Sequence, residues 1–296
     1  MCHNTCEVSN MQIRTDLAME AHELWQRSAP QQTQLSGVWA RTQHRRGYDV
    51  TTVRILDENG ARQLEKPVGT YVTLELEALR RREKNAFSQA VHALRAQLRQ
   101  FLMPCERFLV VGLGNDAVTP DAIGPLALRQ LIVTRHLKTM ADVAVDGFKT
   151  VSAAQPGVLG ATGIESLELV RGVAERTKPE QVIVIDALAS SEPQRICAAV
   201  QLSDSGIVPG SGVGNSRAAF NRETLGVPVL AVGVPTVVDA AAIADAAQDR
   251  AALHGMIVTP HDIDARVHEI AKLIGYALNL SLHAGLTMDD IPCFFS

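Results

Sequence analysis

The chain has 296 residues, 46% of them hydrophobic and 20% charged, with a formal net charge of -4. That is enough apolar material to bury a core in one large domain or two small ones, and it excludes a largely disordered chain. The charge balance excludes the strong basic footprint of a nucleic-acid binder: the dense basic runs, Arg41 to Arg46 and Arg80 to Lys84, are short and read as solvated faces.

Residues 1 to about 36 are weakly patterned. Gln12 to Gln26 carries one helical turn pattern, and Ala29 to Gly37 is a linker rich in Pro, Gln, Ser and Gly. Asp49 to Leu56 and Thr70 to Glu77 read as strands, with Asp57-Glu58-Asn59-Gly60 as the turn between them. Leu79, Phe87, Val91, Leu94 and Leu98 recur on one helical face and predict a helix over 79–102, ended by Pro104. Phe108 to Val111 is a strand and Gly112 to Gly124 a long loop. Pro125 suits the first turn of a helix that runs to about His136. Asp142 to Val145 reads as a short strand, Val151 to Gly163 as irregular, and Ile164 to Arg176 as a helix. Gln181 to Asp186 and Arg195 to Leu202 are strands, followed by the long loop Ser203 to Asn221. Val227 to Val232 is again a strand, closed by Gly233 to Thr236. Val237 to Ala252 reads as an alanine-rich helix. Pro260 to Leu282 is a last amphipathic helix with Thr259 as its cap and Asp262 three positions on.

Three of these strands are continuous apolar runs without alternation, which suits strands buried on both faces of a parallel sheet covered by helices. In such α/β sheets, chemistry sits beyond the carboxyl ends of the strands. Asp121 lies in the loop after one such strand, and Asp186 ends another. Two neighbouring carboxylates cannot both ionise cheaply, so the pair would hold one proton and supply both a base and an acid. Equally, each aspartate could cap a helix. Asp116 and Asp204 are competing acids that also suit turns.

Gly210-Ser211-Gly212-Val213-Gly214-Asn215 has the look of a phosphate cradle but fails the P-loop and dinucleotide patterns. Its backbone amides suit a substrate carbonyl or carboxylate instead, as a glycine nest does. The sequence has no GxSxG elbow, no HExxH and no CxxC, and Ser152, Ser190, Ser191 and Ser211 lack an obvious histidine partner. His136, His254, His261 and His283 read as helix-surface residues. Neither a metal nor a cofactor is expected. Cys2, Cys6, Cys105, Cys197 and Cys293 are odd in number and scattered, as in reduced proteins, and Cys2, His3 and Cys6 lack a fourth zinc ligand. No apolar stretch reaches the ~18 to 20 residues of a membrane span, and the first residues lack a signal-peptide core, so the chain reads as cytosolic.

Several long segments, taken together, resemble one family. VVGLGNDAVTPDAIGP, IVTRHL, PGVLGATGIES, KPEQVIVIDALAS, LSDSGIVPGSGVGNSR and LGVPVLAVGVPTVVDA stand in the order of the germination proteases of spore-forming bacteria. IRTDLAMEA matches near the start, and MIVTP at 256–260 resumes the likeness through the last helix. The resemblance implies an atypical aspartic endopeptidase whose two essential aspartates fall on Asp121 and Asp186. It implies an α/β fold with a mixed, mostly parallel sheet flanked by helices, similar to hydrogenase maturation peptidases. The implied substrates are small acid-soluble spore proteins, cut after an acidic residue and before a large apolar one. Asp16, Leu17 and Ala18 reproduce that pattern, so residues 1–16 read as a propeptide removed by self-cleavage at Asp16–Leu17. Residues 17–296 then form one peptidase domain, with an N-terminal strand region at 37–77, a core sheet at 105–252 and a C-terminal helix at 256–285. The resemblance further implies a homotetramer in the spore core, without direct nucleic-acid binding or membrane attachment. Two features depart from the family: the segment before Met256 is short, and Asp116 is an added acid. The rival readings are a metal-recognising maturation peptidase on the same fold and a non-catalytic binding protein.

Overall fold

The structure is a computed structural model, and it describes residues 15–28, 35–45, 47–139, 147–244, 253 and 255–295. The strands are β1 (Val38–Arg45), β2 (Tyr48–Ile55), β3 (Gly69–Glu75), β4 (Arg107–Gly112), β5 (Thr150–Ala154), β6 (Gln181–Ser190), β7 (Ala199–Ser203), β8 (Val229–Asp239) and β9 (Ile257–Val258). The helices are α1 (Ala18–Ser28), α2 (Glu58–Leu64), α3 (Glu77–Arg80), α4 (Ala86–Phe101), α5 (Ile123–Leu128), α6 (Leu159–Thr162), α7 (Ser166–Thr177), α8 (Arg222–Leu225) and α9 (Ile263–Leu282).

All the strands join one mixed sheet in the order β1-β2-β3-β7-β8-β6-β4-β5, with β9 on the far end of β8. The pairings β4–β5, β4–β6 and β6–β8 are parallel. The meander β1–β2–β3 and its joins through β7 to β8 are antiparallel, as is β8–β9. The parallel part is therefore confined to the core, and the N-terminal region extends it as an antiparallel wing.

Burial on both faces explains the unbroken apolar runs. Phe108 and Val110 of β4 pack with α4, α5 and α9, while Leu109 and Val111 point the other way, against Leu167 and Val170 of α7. Ile183 and Ile185 of β6 share the first face, and Val182 and Val184 the second. A third cluster places Leu17, Ala18 and Met19 over Val53, Ile55 and Tyr71 of the antiparallel wing.

Several expectations are corrected. The N-terminal segment is not loose from residue 15 onward: Leu17 and Ala18 are fully buried, and α1 is docked. The 41–46 basic run contributes to a strand, β1, whose Arg41 and Arg45 lie on the sheet's outer wing. Residues 58–64 form a helix capped by Asp57, which accepts from Gly60 N at 2.9 Å, in place of the expected turn. The helix expected over 79–102 is broken in two, because Arg82 and Asn85 both adopt positive φ. Residues 150–154, read as irregular, form β5. The helix after Pro125 stops at Leu128. β8 runs to Asp239, where an alanine-rich helix was expected from Val237, since Val237 and Val238 keep pairing with β6. Pro235 is tolerated there because the β6–β8 register shifts beside it, between Leu188 and Ala189. Asp262, not Thr259, is the cap residue of α9, and the Thr259 hydroxyl donates to Thr236 O at 3.0 Å instead. His283 is buried, with its ring stacked on Phe148 at 4.5 Å; His136 and His261 are exposed, but on turns and not on the helices expected for them. The strand expected at Asp142 to Val145, the Cys2-His3-Cys6 group and His254 lie outside the described residues. Among the described residues, no helix is long and apolar enough to cross a membrane.

Candidate active site

β4 ends at Gly112, while β6 and β8 run on together to Ser190 and Asp239. The chain leaves β4 towards β5 on one side and later returns to place β6 on the other. This reversal of strand order opens a crevice at the carboxyl end of the sheet. Leu113 N donates to Ile185 O at 2.9 Å, so the loop after β4 starts fastened to β6, one residue before Asp186.

The loop then curls back on itself. Asp121 closes a short 3-10 turn, Thr119–Asp121. Its carboxylate accepts from Asn115 N at 2.8 Å, and its own N–H donates to Val118 O at 2.7 Å. Thr119 donates to Asp264 at 2.6 Å and ties the loop to the first turn of α9.

Asp186 lies in the middle of β6, in register with Gly233 of β8. It is 4% exposed, and its carboxylate accepts from Ala187 N at 2.9 Å. Asp121 and Asp186 line the same cavity, of about 480 Å³, together with Leu113, Gly114 and Thr236. The Thr236 hydroxyl is buried without a protein partner.

The electrostatics follow from this enclosure. Burial raises the pKa of Asp121, against the opposing hydrogen bond from Asn115. Burial raises Asp186 well above the ordinary carboxylate range, and the charges of Asp121 and Asp16 push it the same way. A buried acid next to another acid keeps its proton, because ionising it would cost desolvation and repulsion together. Neither aspartate caps a helix; both side chains face the crevice with single backbone donors.

The other residues singled out in the sequence divide clearly. Gly210, Gly212 and Asn215 line the cleft, Ser211 turns towards Asp16, and Gly214 is an exposed turn. Asp116 is exposed and pairs with Arg129 at 3.1 Å. Asp204 accepts from Thr70 N at 2.7 Å on the antiparallel wing. Asp16 lines the cleft, and Leu17 is buried beneath α1. Sequence reasoning missed Thr236, whose place in the cleft depends on β8 running further than its apolar run suggested.

Two enclosed carboxyls thus face one crevice at the switch point of an α/β sheet. Comparison with known proteins is specific about the kind of protein that carries them. The sequence profile of the germination protease family matches residues 18–254. A germination protease of Caldanaerobacter subterraneus subsp. tengcongensis is 41% identical, covering 94% of this chain and 97% of its own. One from Clostridium perfringens is 37% identical over 96% of this chain and 99% of its own, and one from Bacillus cytotoxicus 42% identical over 80% and 66%. Among solved structures, a nickel–iron hydrogenase maturation protease from Thermococcus kodakarensis gives a TM-score of 0.36 at 17% identity, covering 62% of this chain and 98% of that one. The chain belongs to the germination protease family and is a hydrolase of peptide bonds.

Proposed function

We propose that Asp121 and Asp186 are the catalytic pair of an atypical aspartic endopeptidase. The observation that carries this reading is the single cleft holding two carboxyls whose pKa values are both raised, Asp186 the further. The difference in burial assigns the roles. Asp186, enclosed and repelled by two other acids, holds the shared proton. Asp121, less enclosed and stabilised by Asn115 N–H, is the ionised base. Water in the cleft gives a proton to Asp121 as its oxygen attacks the scissile carbonyl carbon. Asp186 donates its proton to the carbonyl oxygen. As the tetrahedral species collapses and the C–N bond breaks, the proton held by Asp121 goes to the leaving amine and one hydroxyl of the gem-diol returns a proton to Asp186. The glycine-rich loop around Gly210, Ser211, Gly212, Gly214 and Asn215 steadies the substrate backbone.

Family membership supports small acid-soluble spore proteins as substrates, cut after Glu or Asp and before a large apolar residue, by a homotetramer in the spore core. Residues 1–16 are a propeptide, released by self-cleavage at Asp16–Leu17 from one peptidase domain spanning 17–296. The test of the chemistry is cleavage of a purified acid-soluble spore protein by wild type, Asp121→Asn and Asp186→Asn, with folding checked by circular dichroism. Both variants should fold and neither should cut; near-normal cleavage by either sinks the reading. The propeptide is tested by mass spectrometry after mildly acidic incubation, where absence of a fragment beginning at Leu17 refutes it.

A further inference from the structure

Asp16 is held more closely than a segment awaiting removal requires. Its N–H donates to Ala189 O at 2.9 Å. Its carboxylate accepts two hydrogen bonds, from Ala189 N on Oδ2 at 2.8 Å and from the Ser211 hydroxyl on Oδ1 at 2.7 Å. Gly212 closes the space above: a Cβ there would stand 2.1 Å from Oδ2 of Asp16 and 2.6 Å from the Ala189 Cβ. Gln201 on β7 clamps the backbone on both sides of Leu17, donating to Asp16 O at 3.2 Å and accepting from Ala18 N at 2.8 Å. Lys66 donates to Thr15 O at 2.8 Å; burial lowers the pKa of its ammonium, and the Asp16 carboxylate is the leading charge that opposes this.

Each of these partners lies outside the 15–18 segment. Ala189 is the penultimate residue of β6, three residues beyond Asp186; Ser211 and Gly212 belong to the glycine-rich loop; Lys66 follows α2. The main body of the fold thus offers an extended chain an edge to pair with and an acidic side chain a place to sit. A second cavity of about 210 Å³ lies behind it, lined by Asp16, Lys66 and Ser211 among others. An amide could give its oxygen to Ala189 N–H and its NH2 to the Ser211 oxygen, so hydrogen bonding alone discriminates weakly. Lys66, which lines the same second cavity as Asp16 without bonding its carboxylate, supplies the preference for an acid through the Coulomb attraction of its ammonium.

We propose that Ala189 N–H, the Ser211 hydroxyl and Lys66 form the subsite that selects the acidic side chain of the substrate, and that Asp16 fills it in cis. The inference rests on the peptidase reading of the same cleft and adds its specificity device. The chain competes with its own substrates until Asp16 leaves. The occupant's charge also bears on the chemistry, since Asp16 is one of the groups that raise Asp186, after burial and Asp121. An acidic substrate residue entering the cradle restores that influence; a neutral one does not.

The experiment measures fluorescence anisotropy of a labelled hexapeptide, Ala-Ala-Glu-Leu-Ala-Ala, and its Gln counterpart, on the full chain carrying Asp121→Asn. Adding Asp16→Ala should tighten binding of the Glu peptide at least tenfold, and the opened chain should hold the Glu peptide more tightly than the Gln peptide. Adding Ser211→Ala should weaken the Glu peptide, and Lys66→Met should erase the preference for Glu over Gln. Equal binding of the two peptides by the opened chain, or a preference that survives Lys66→Met, overturns the proposal. If Asp16→Ala folds poorly by circular dichroism, Asp16→Asn keeps the side-chain shape and the backbone pairing. It should give the same order with a smaller gain, and equal binding again overturns it. Mass spectrometry of the recovered peptides separates the two readings: cleavage by Asp121→Asn defeats the catalytic assignment, whereas the binding order alone decides the cradle.

Discussion

Gly114 and Asp121 touch so closely that no side chain fits between them. A Cβ on Gly114 would lie 1.9 Å from the Asp121 carbonyl oxygen and 3.0 Å from its Oδ1, and Gly114 has a φ of +107°. Both the backbone angle and the space demand glycine. Gly114→Ala should therefore displace the Asp121 loop, lower kcat at least tenfold and destabilise the fold by about 1–3 kcal/mol. Cleavage assays and urea unfolding check this; unchanged kcat would mean that the loop's position does not govern the chemistry.

The raised pKa of Asp186 has a consequence for stability with a definite sign. The folded state binds this proton more tightly than the unfolded chain does. Its contribution is present below the ordinary carboxylate pKa and is lost as pH rises through the folded value. Each unit of displacement amounts to about 1.4 kcal/mol. Asp186→Asn, which cannot ionise, should be more stable than wild type at neutral pH while lacking activity. Urea unfolding of the two proteins from pH 4 to 8 should diverge steadily as pH rises.

His283 acts in the opposite direction. Burial lowers its pKa to about 4 from 6.5, and the hydrogen bond to Ile132 O at 3.1 Å only partly offsets this. The carbonyl acceptor requires the proton on Nε2, which leaves Nδ1 buried without a partner. A folded pKa below the unfolded one makes stability fall as pH drops from 6.5 towards 4, by on the order of 3 kcal/mol in full. His283→Gln should flatten that acid limb, whatever it does to stability at pH 7. An unaltered slope between pH 6.5 and 4 would assign acid sensitivity elsewhere.

Arg195 holds the N-terminal helix to the end of β6. It bonds Glu20 at 3.2 Å, Glu23 at 2.9 Å and Glu75 at 3.2 Å. Glu20 is fully buried and also accepts from Thr15, Ser190 and Ser191. Arg195→Ala strips a buried carboxylate of its cation and should cost about 3–5 kcal/mol. Limited proteolysis should then cut within α1 faster than in wild type, and equal rates would show that packing alone holds it.

The proposed mechanism needs one carboxyl of the pair ionised and the other protonated, so the activity profile should be bell-shaped. Both aspartates are shifted upward, so the acid limb should lie above the ordinary carboxylate range. Initial rates on a fixed peptide from pH 3 to 9 test this, and a flat profile would rule out the shared proton.

How much of this was legible in the sequence depended on how local the cause was. β4 and β6 could be read because branched apolar runs leave few options other than a strand covered on both faces. Asp186 stood out because it interrupts one apolar run, and Asp121 because it lies in the loop that follows the other. β1 was hidden, since Arg41, Gln43 and Arg45 resemble a solvated surface until the neighbouring β2 is known. The break between α3 and α4 was hidden too: Arg82 and Asn85 take up a left-handed backbone that the apolar spacing does not reveal. The end of β8 was misread because alanine-rich sequence favours helix locally, while pairing with β6 favours strand. The grip on Asp16 involves residues 173 and 195 positions away, so no local pattern could show it.

The strand order also sets a timetable. β3 is complete early in the chain, but its second neighbour, β7, begins at Ala199, more than a hundred residues later. During synthesis the β1–β3 meander must wait with one edge open. An unpaired edge invites pairing with another chain, and long-range strand closure is slow. Nascent chains that stall before β7 emerges therefore present their β3 edge to one another, which makes this ribosome-bound interval the period of greatest exposure to aggregation.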